Sequence, residues 1–236
     1  MENAPALDWL IFAPHPDDAE IGMGGSIAKA LAAGKRVGVI DLTRGEAGTK
    51  GNATLRAQEA AAATDLLGLH YRGNLDLGDG RIMDNETNRL LVAEAIRRCQ
   101  SPDLFVCPPF DRHPDHQAAG RLVQAAFFLA RLPKVETQSP AFSPNCLFYY
   151  FIHDQREVSF AVDISAYMET KRQALRCYAS QFVDPQVPEG YRHVGTSNYL
   201  AHVDGYNRAM GAQIGAEFAE GFSSPALLSL NLPGEG

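Results

Sequence analysis

Two distant segments of the chain share one layout: residues 11–25 read IFAPHPDDAEIGMGG and residues 104–117 read LFVCPPFDRHPDHQ. Each has a short apolar run, then a His-Pro-Asp turn, then residues with helical spacing. An apolar run stopped by a polar turn is the pattern of a buried strand that feeds a helix. Strand and helix patterns alternate through the first half of the chain, as they do where crossover helices join the strands of a parallel sheet. Loops of such a sheet meet outside the carboxyl ends of its strands. The two His-Pro-Asp turns are therefore placed to converge.

Strands are expected over residues 7–13, 36–43, 71–75 and 103–109, with helices from Ser26 as N-cap to Gly34 and over 54–67, 86–99 and 117–131. Beyond Pro140 the order changes: residues 146–152 and 159–164 read as strands, and 167–182 and 199–222 as helical. The fold class is α/β, a Rossmann-like parallel-sheet three-layer sandwich with C-terminal β and α additions. No Ser/Pro/Gly-rich linker or charge block divides the chain, so residues 1–236 are expected to form a single domain.

A net charge of -7 without a basic cluster argues against nucleic-acid and anionic-membrane partners, which select a Lys/Arg face. A small molecule is the expected partner. The N-terminus has no basic n-region and its apolar stretch is short, so neither a signal peptide nor a membrane span is read there, and the cytoplasm is the expected compartment. Cys99, Cys107, Cys146 and Cys177 are irregularly spaced and read as reduced core thiols.

His15, Asp17 and Asp18 on one turn and His113, Asp115 and His116 on the other offer imidazole nitrogens and carboxylate oxygens, the donors of a zinc site. Without a cation, bringing the acids together costs about 4 kcal/mol per pair at 4 Å and an effective dielectric of 20. A divalent ion reverses that sign. Spacing does not choose between Asp17 and Asp18. A rival reading takes the glycines of GMGGS and Asp41 as a dinucleotide fingerprint, which would make the protein a nicotinamide-nucleotide-binding oxidoreductase. These glycines lie beyond a charged loop instead of in the tight turn after the strand, which disfavours it.

PHPDDAEIGMGG and RHPDH resemble the zinc-dependent PIG-L/LmbE de-N-acetylases, and the likeness extends to DLTRGE, the helix start at Arg56 to Glu59, YASQF and AEGF. Within that family the chain looks most similar to the bacillithiol-biosynthesis deacetylases, which act on N-acetylglucosaminyl malate; another N-acetylglucosaminide or a chitobiose-like sugar is the alternative. The resemblance implies that His15, Asp18 and His116 bind Zn2+ and that Asp17 is the general base. It further implies that His113 is an imidazolium beside the reacting amide, with Asp115 holding its ring, and that Arg56 binds substrate, with Arg112 a second candidate. Tyr199, or its rival Tyr191, is placed by the same resemblance near the carbonyl oxygen. Fe2+ suits the same two-histidine, one-carboxylate set. A homo-oligomer is the expected state. Glu20 and Asp111 read as loop supports, and His70, His153, His193 and His202 as solvated or packed.

Overall fold

The computed structural model describes residues 4–182 and 199–228. Seven strands, β1 Trp9–Ala13, β2 Val37–Asp41, β3 Tyr71–Asn74, β4 Asp103–Val106, β5 Cys146–Tyr150, β6 Phe160–Asp163 and β7 Ala219–Ser223, form one sheet in the order β3-β2-β1-β4-β5-β7-β6. The first five run parallel; β7 is antiparallel to both its neighbours. Helices are α1 Asp18–Ala32, α2 Ala53–Leu67, α3 Glu86–Cys99, α4 Pro114–Leu129, α5 Met168–Cys177, α6 Ala179–Phe182 and α7 Tyr199–Ile214. No helix among the described residues is long and apolar enough to cross a membrane.

Alternate residues of a strand face opposite sides of a sheet, and here both sides are covered. Leu10, Phe12, Ile40, Leu104 and Val106 pack on α3 and α4, whereas Ile11, Val39 and Phe105 pack on the layer of α1, α5 and α7. Each such side chain contributes about 1.5–3 kcal/mol by leaving water. The strand order reverses direction between β1 and β4, which opens a crevice at their carboxyl ends. Both His-Pro-Asp turns lie there.

Three elements on the β7 side of the molecule differ from the sequence reading. The first helix starts at Asp18, well before Ser26, and is bent at Met23, which has φ -147°. Ser26 is not its cap. The Glu220 carboxylate from β7 instead accepts the Gly25 and Ser26 backbone N–H groups, at 3.0 and 2.7 Å. The fully buried Lys171 ammonium donates to the same carboxylate at 2.6 Å and to Asn207 Oδ1 at 3.1 Å. Second, residues 199–222 are not one helix: α7 ends before Gly215, whose φ of 72° stops it, and 219–223 return as β7. Third, the pattern over 167–182 breaks at Tyr178, which turns inward to donate from its hydroxyl to Glu20 Oε1 at 3.0 Å.

The GMGG glycines serve packing. A Cβ on Gly22 would run into the Tyr150 ring, and one on Gly25 would lie 2.6 Å from Ile164 Cδ1. Their missing side chains make way for Tyr150, Lys171 and Ile164, a packing role, so the dinucleotide reading is set aside. Tyr150 is fully buried and donates to the Phe12 carbonyl at 3.0 Å, which holds its ring in place. Gly22→Ala is therefore expected to destabilise the protein by about 1–3 kcal/mol through overpacking, more than the roughly 1 kcal/mol that alanine returns in helix propensity. A denaturant midpoint at or above that of the parent would contradict this.

Candidate active site

Asp17 occupies the turn between β1 and α1 with φ 123°, a conformation that costs a non-glycine residue about 1–3 kcal/mol. Arg56, from the first turns of α2, braces it. Its guanidinium donates to the Pro16 carbonyl and lies 3.1 Å from Asp17 Oδ2. Asp18 begins the helix and points elsewhere, its Oδ2 standing 3.0 Å from His15 Nδ1 and 3.2 Å from His116 Nε2. Beneath this turn, buried Glu20 pairs with Arg72 at 2.6 Å, and Arg72 also grips Asp41 at the end of β2.

The second motif forms the start of α4, which begins at Pro114, three residues before the helix expected at Gln117. His113 is its N-cap: Nδ1 accepts the Asp115 N–H at 3.2 Å. A neutral ring with that nitrogen occupied carries its proton on Nε2. Burial and the neighbouring His116 and His15 charges lower the His113 pKa. The contact to the ring thus comes from the Asp115 backbone N–H, where the resemblance implied the Asp115 carboxylate. That carboxylate instead accepts the Gly80 N–H at 2.7 Å and lies 3.2 Å from His15 Nε2.

His15 Nδ1, Asp18 and His116 Nε2 form one of the groups able to hold a metal ion, with ligand atoms all within 4.8 Å of one another. Each ring's other nitrogen meets a carboxylate: Asp115 and Asp79 at His15, the latter at 3.1 Å, and Asp111 at His116, at 3.2 Å. Metal-bound imidazoles are typically oriented in this way. The donor set and its outer carboxylates fit a divalent cation. Burial raises the pKa of Asp18, but the His116 charge and hydrogen bonds to both histidines outweigh it and hold the group well below its ordinary value. Asp17 behaves oppositely. Burial lifts it to about 7 against the pull of Arg56.

A cleft of about 340 Å³ opens over these groups and is lined also by Gly45, Thr49 and Tyr199. Tyr199, at the start of α7, stacks on Phe182 with ring centroids 5.3 Å apart, and burial raises its pKa. Arg112 is exposed and lines a smaller adjoining cavity with Tyr199, His153 and His202. Arg56, by contrast, is 4% exposed and engaged by Asp17 and Pro16. Tyr191 and His193 lie outside the described residues.

Two residues of the site escape the sequence reading, Asp79 by omission and His153 as a solvated or packed ring. Asp79 comes from the loop between β3 and α3, latched to residues 46–47 by its own N–H to Glu46 Oε1 and by the Ala47 N–H to its carboxylate. His153, just beyond β5, has Nδ1 3.0 Å from Asp111 Oδ1. Its only signal in the sequence is its place after a strand end.

Residues 10–127 match the family PIG-L: GlcNAc-PI de-N-acetylase. The diacetylchitobiose deacetylase of Thermococcus kodakarensis is 32% identical over 73% of this chain and 69% of its own length. The Bacillus anthracis protein named probable N-acetyl-alpha-D-glucosaminyl L-malate deacetylase 2 is 28% identical over 73% of this chain and 80% of its own. Among solved structures, the conserved protein TT1542 from Thermus thermophilus superposes with a TM-score of 0.88, at 39% identity, covering 98% of this chain and 99% of that one. Half of the chain matches the family profile and the curated relatives align over most of it, so the chain belongs to the PIG-L family.

Proposed function

We propose that this protein is a metal-dependent hydrolase that removes the N-acetyl group from a glucosamine derivative, with His15, Asp18 and His116 as ligands of Zn2+. The observation that carries this reading is the divergence of two adjacent acids: Asp18 joins both histidines while Asp17 stands apart on Arg56. One carboxylate suits a cation and the other suits proton transfer. A divalent ion in this site supplies Lewis-acid polarisation of the acetyl carbonyl and a more acidic water.

The residues of the chain do the rest. Asp17 takes a proton from the attacking water, and His113 Nε2–H, with the Tyr199 hydroxyl, donates to the oxygen on which charge develops. Asp17 then passes its proton to the leaving nitrogen, so that amide and water give amine and acetate. Arg56 holds Asp17 in its strained turn.

We favour N-acetylglucosaminyl malate as substrate, with Arg112 as the cation for its carboxylates because Arg56 is already committed. The name of the 32% identical relative supports a second reading, diacetylchitobiose. Acetate release from the two compounds and from free N-acetylglucosamine tests both: release from none of them overturns the function, and preference for the disaccharide overturns the choice of substrate. Arg112→Ala is expected to raise KM for the malate conjugate about tenfold with kcat little changed, as loss of one charge-assisted contact would. An unchanged KM would remove Arg112 from the substrate site.

A further inference from the structure

Asp111 directly precedes the second histidine motif and is fully buried. Its Oδ1 accepts the His113 N–H at 2.8 Å, lies 3.0 Å from His153 Nδ1, and lies 3.2 Å from His116 Nδ1. One carboxylate oxygen therefore touches three histidines, two by their rings and one by its backbone. His153 also stacks on His116, with centroids 5.4 Å apart and planes 20° from parallel. It lines both the cleft and the adjoining cavity.

His116 can offer Nε2 to a cation only if its proton sits on Nδ1; that nitrogen is buried without a hydrogen bond, and Asp111 Oδ1, 3.2 Å away, is the carboxylate oxygen beside it that a small rotation of the ring would engage. An N–H from His153 to the same oxygen fixes where the carboxylate stands. On these contacts we propose that Asp111 and His153 form a positioning pair that locks His116 in its Nε2-binding form and so sets the affinity for the metal. In this reading neither binds the ion held by His15, Asp18 and His116, even though Asp111, His116 and His153 also lie close enough together to hold one, and neither touches the reacting atoms. The inference rests on His116 being a metal ligand, as proposed above.

The test is competition for Zn2+ between the purified full-length protein and a chromogenic chelator. His153→Phe keeps a ring to stack on His116 but removes the N–H; loss of an outer-shell partner of this kind weakens metal binding by about 10–100-fold. Asp111→Asn, which keeps the oxygen and removes the charge, is expected to weaken it to a similar degree. His153→Asn, whose amide N–H replaces the ring donor, is expected to recover most of the loss. Melting of the metal-free proteins separates this from misfolding, because the His153 variants should melt together with the parent. Variants that bind Zn2+ as tightly as a metal-binding parent overturn the pair alone, and so does a His153→Asn protein as weak as His153→Phe. A parent that binds no metal overturns the proposed function along with it.

Discussion

Asp17→Asn keeps its metal and loses about 10²–10⁴-fold in kcat, the range expected when a general base is removed and the rest of the site stays in place. Asparagine is nearly isosteric, and its amide oxygen can still accept from Arg56, so the turn at φ 123° keeps its brace. It can no longer take a proton. Metal content should match the parent, because Asp18, and not Asp17, reaches His15 and His116. The pH profile gives a second reading of the same group. Burial lifts Asp17 to about 7 in the absence of a cation, and a nearby cation favours the charged carboxylate and lowers that value. A base works only when deprotonated, so kcat/KM of the parent should fall as the pH drops through an acid limb below 7. The residual rate of the variant should lack that limb. Near-full activity in Asp17→Asn would assign the proton transfer elsewhere.

His15→Ala is expected to lose the metal and acetate release together. Removing one imidazole leaves two of three ligands, and it also takes away the ring that separates the carboxylates of Asp18, Asp79 and Asp115. Lewis-acid stabilisation is worth several kcal/mol, which corresponds to a loss on the order of 10³-fold or more. Dialysis of the parent against a chelator should reproduce this loss, and added Zn2+ should reverse it in the parent but not in the variant. A His15→Ala protein that retains stoichiometric metal after dialysis would show that the ion sits elsewhere.

What can be read from the chain alone follows the range of the forces involved. β1, β2 and β4 are buried on both faces, so their apolar runs are continuous and the turns after them are conspicuous. That is why His15, Asp18, His113 and His116 can be brought together without coordinates. Asp79 and His153 cannot, because each reaches the site from a loop whose neighbours in sequence carry no ligand pattern. The inward turn of Tyr178 is set by Glu20, 158 residues away. Residues 219–222 read as helical in isolation because Phe218, Ala219 and Phe222 also suit a helical face; only pairing with β5 and β6 makes them part of a strand, and Gly215 is the local stop signal. The role of Arg56 shifts for a similar reason, since helix spacing shows where an arginine starts and not which acid it will meet.

The bend at Met23 has a consequence for the order in which the molecule matures. The inner half of α1 presents its first amides to a carboxylate that is 194 residues downstream, and Lys171 is neutralised by that same group. During synthesis on a ribosome, the loop bearing Asp17 and Asp18 emerges early, yet the helix behind it waits for Glu220 before its amides find their acceptor. The helix behind the acidic turn thus gains its last acceptor only when β7 has joined the sheet. A nascent chain stalled before β7 would hold the Gly25 and Ser26 amides, and the Lys171 ammonium, without their shared carboxylate.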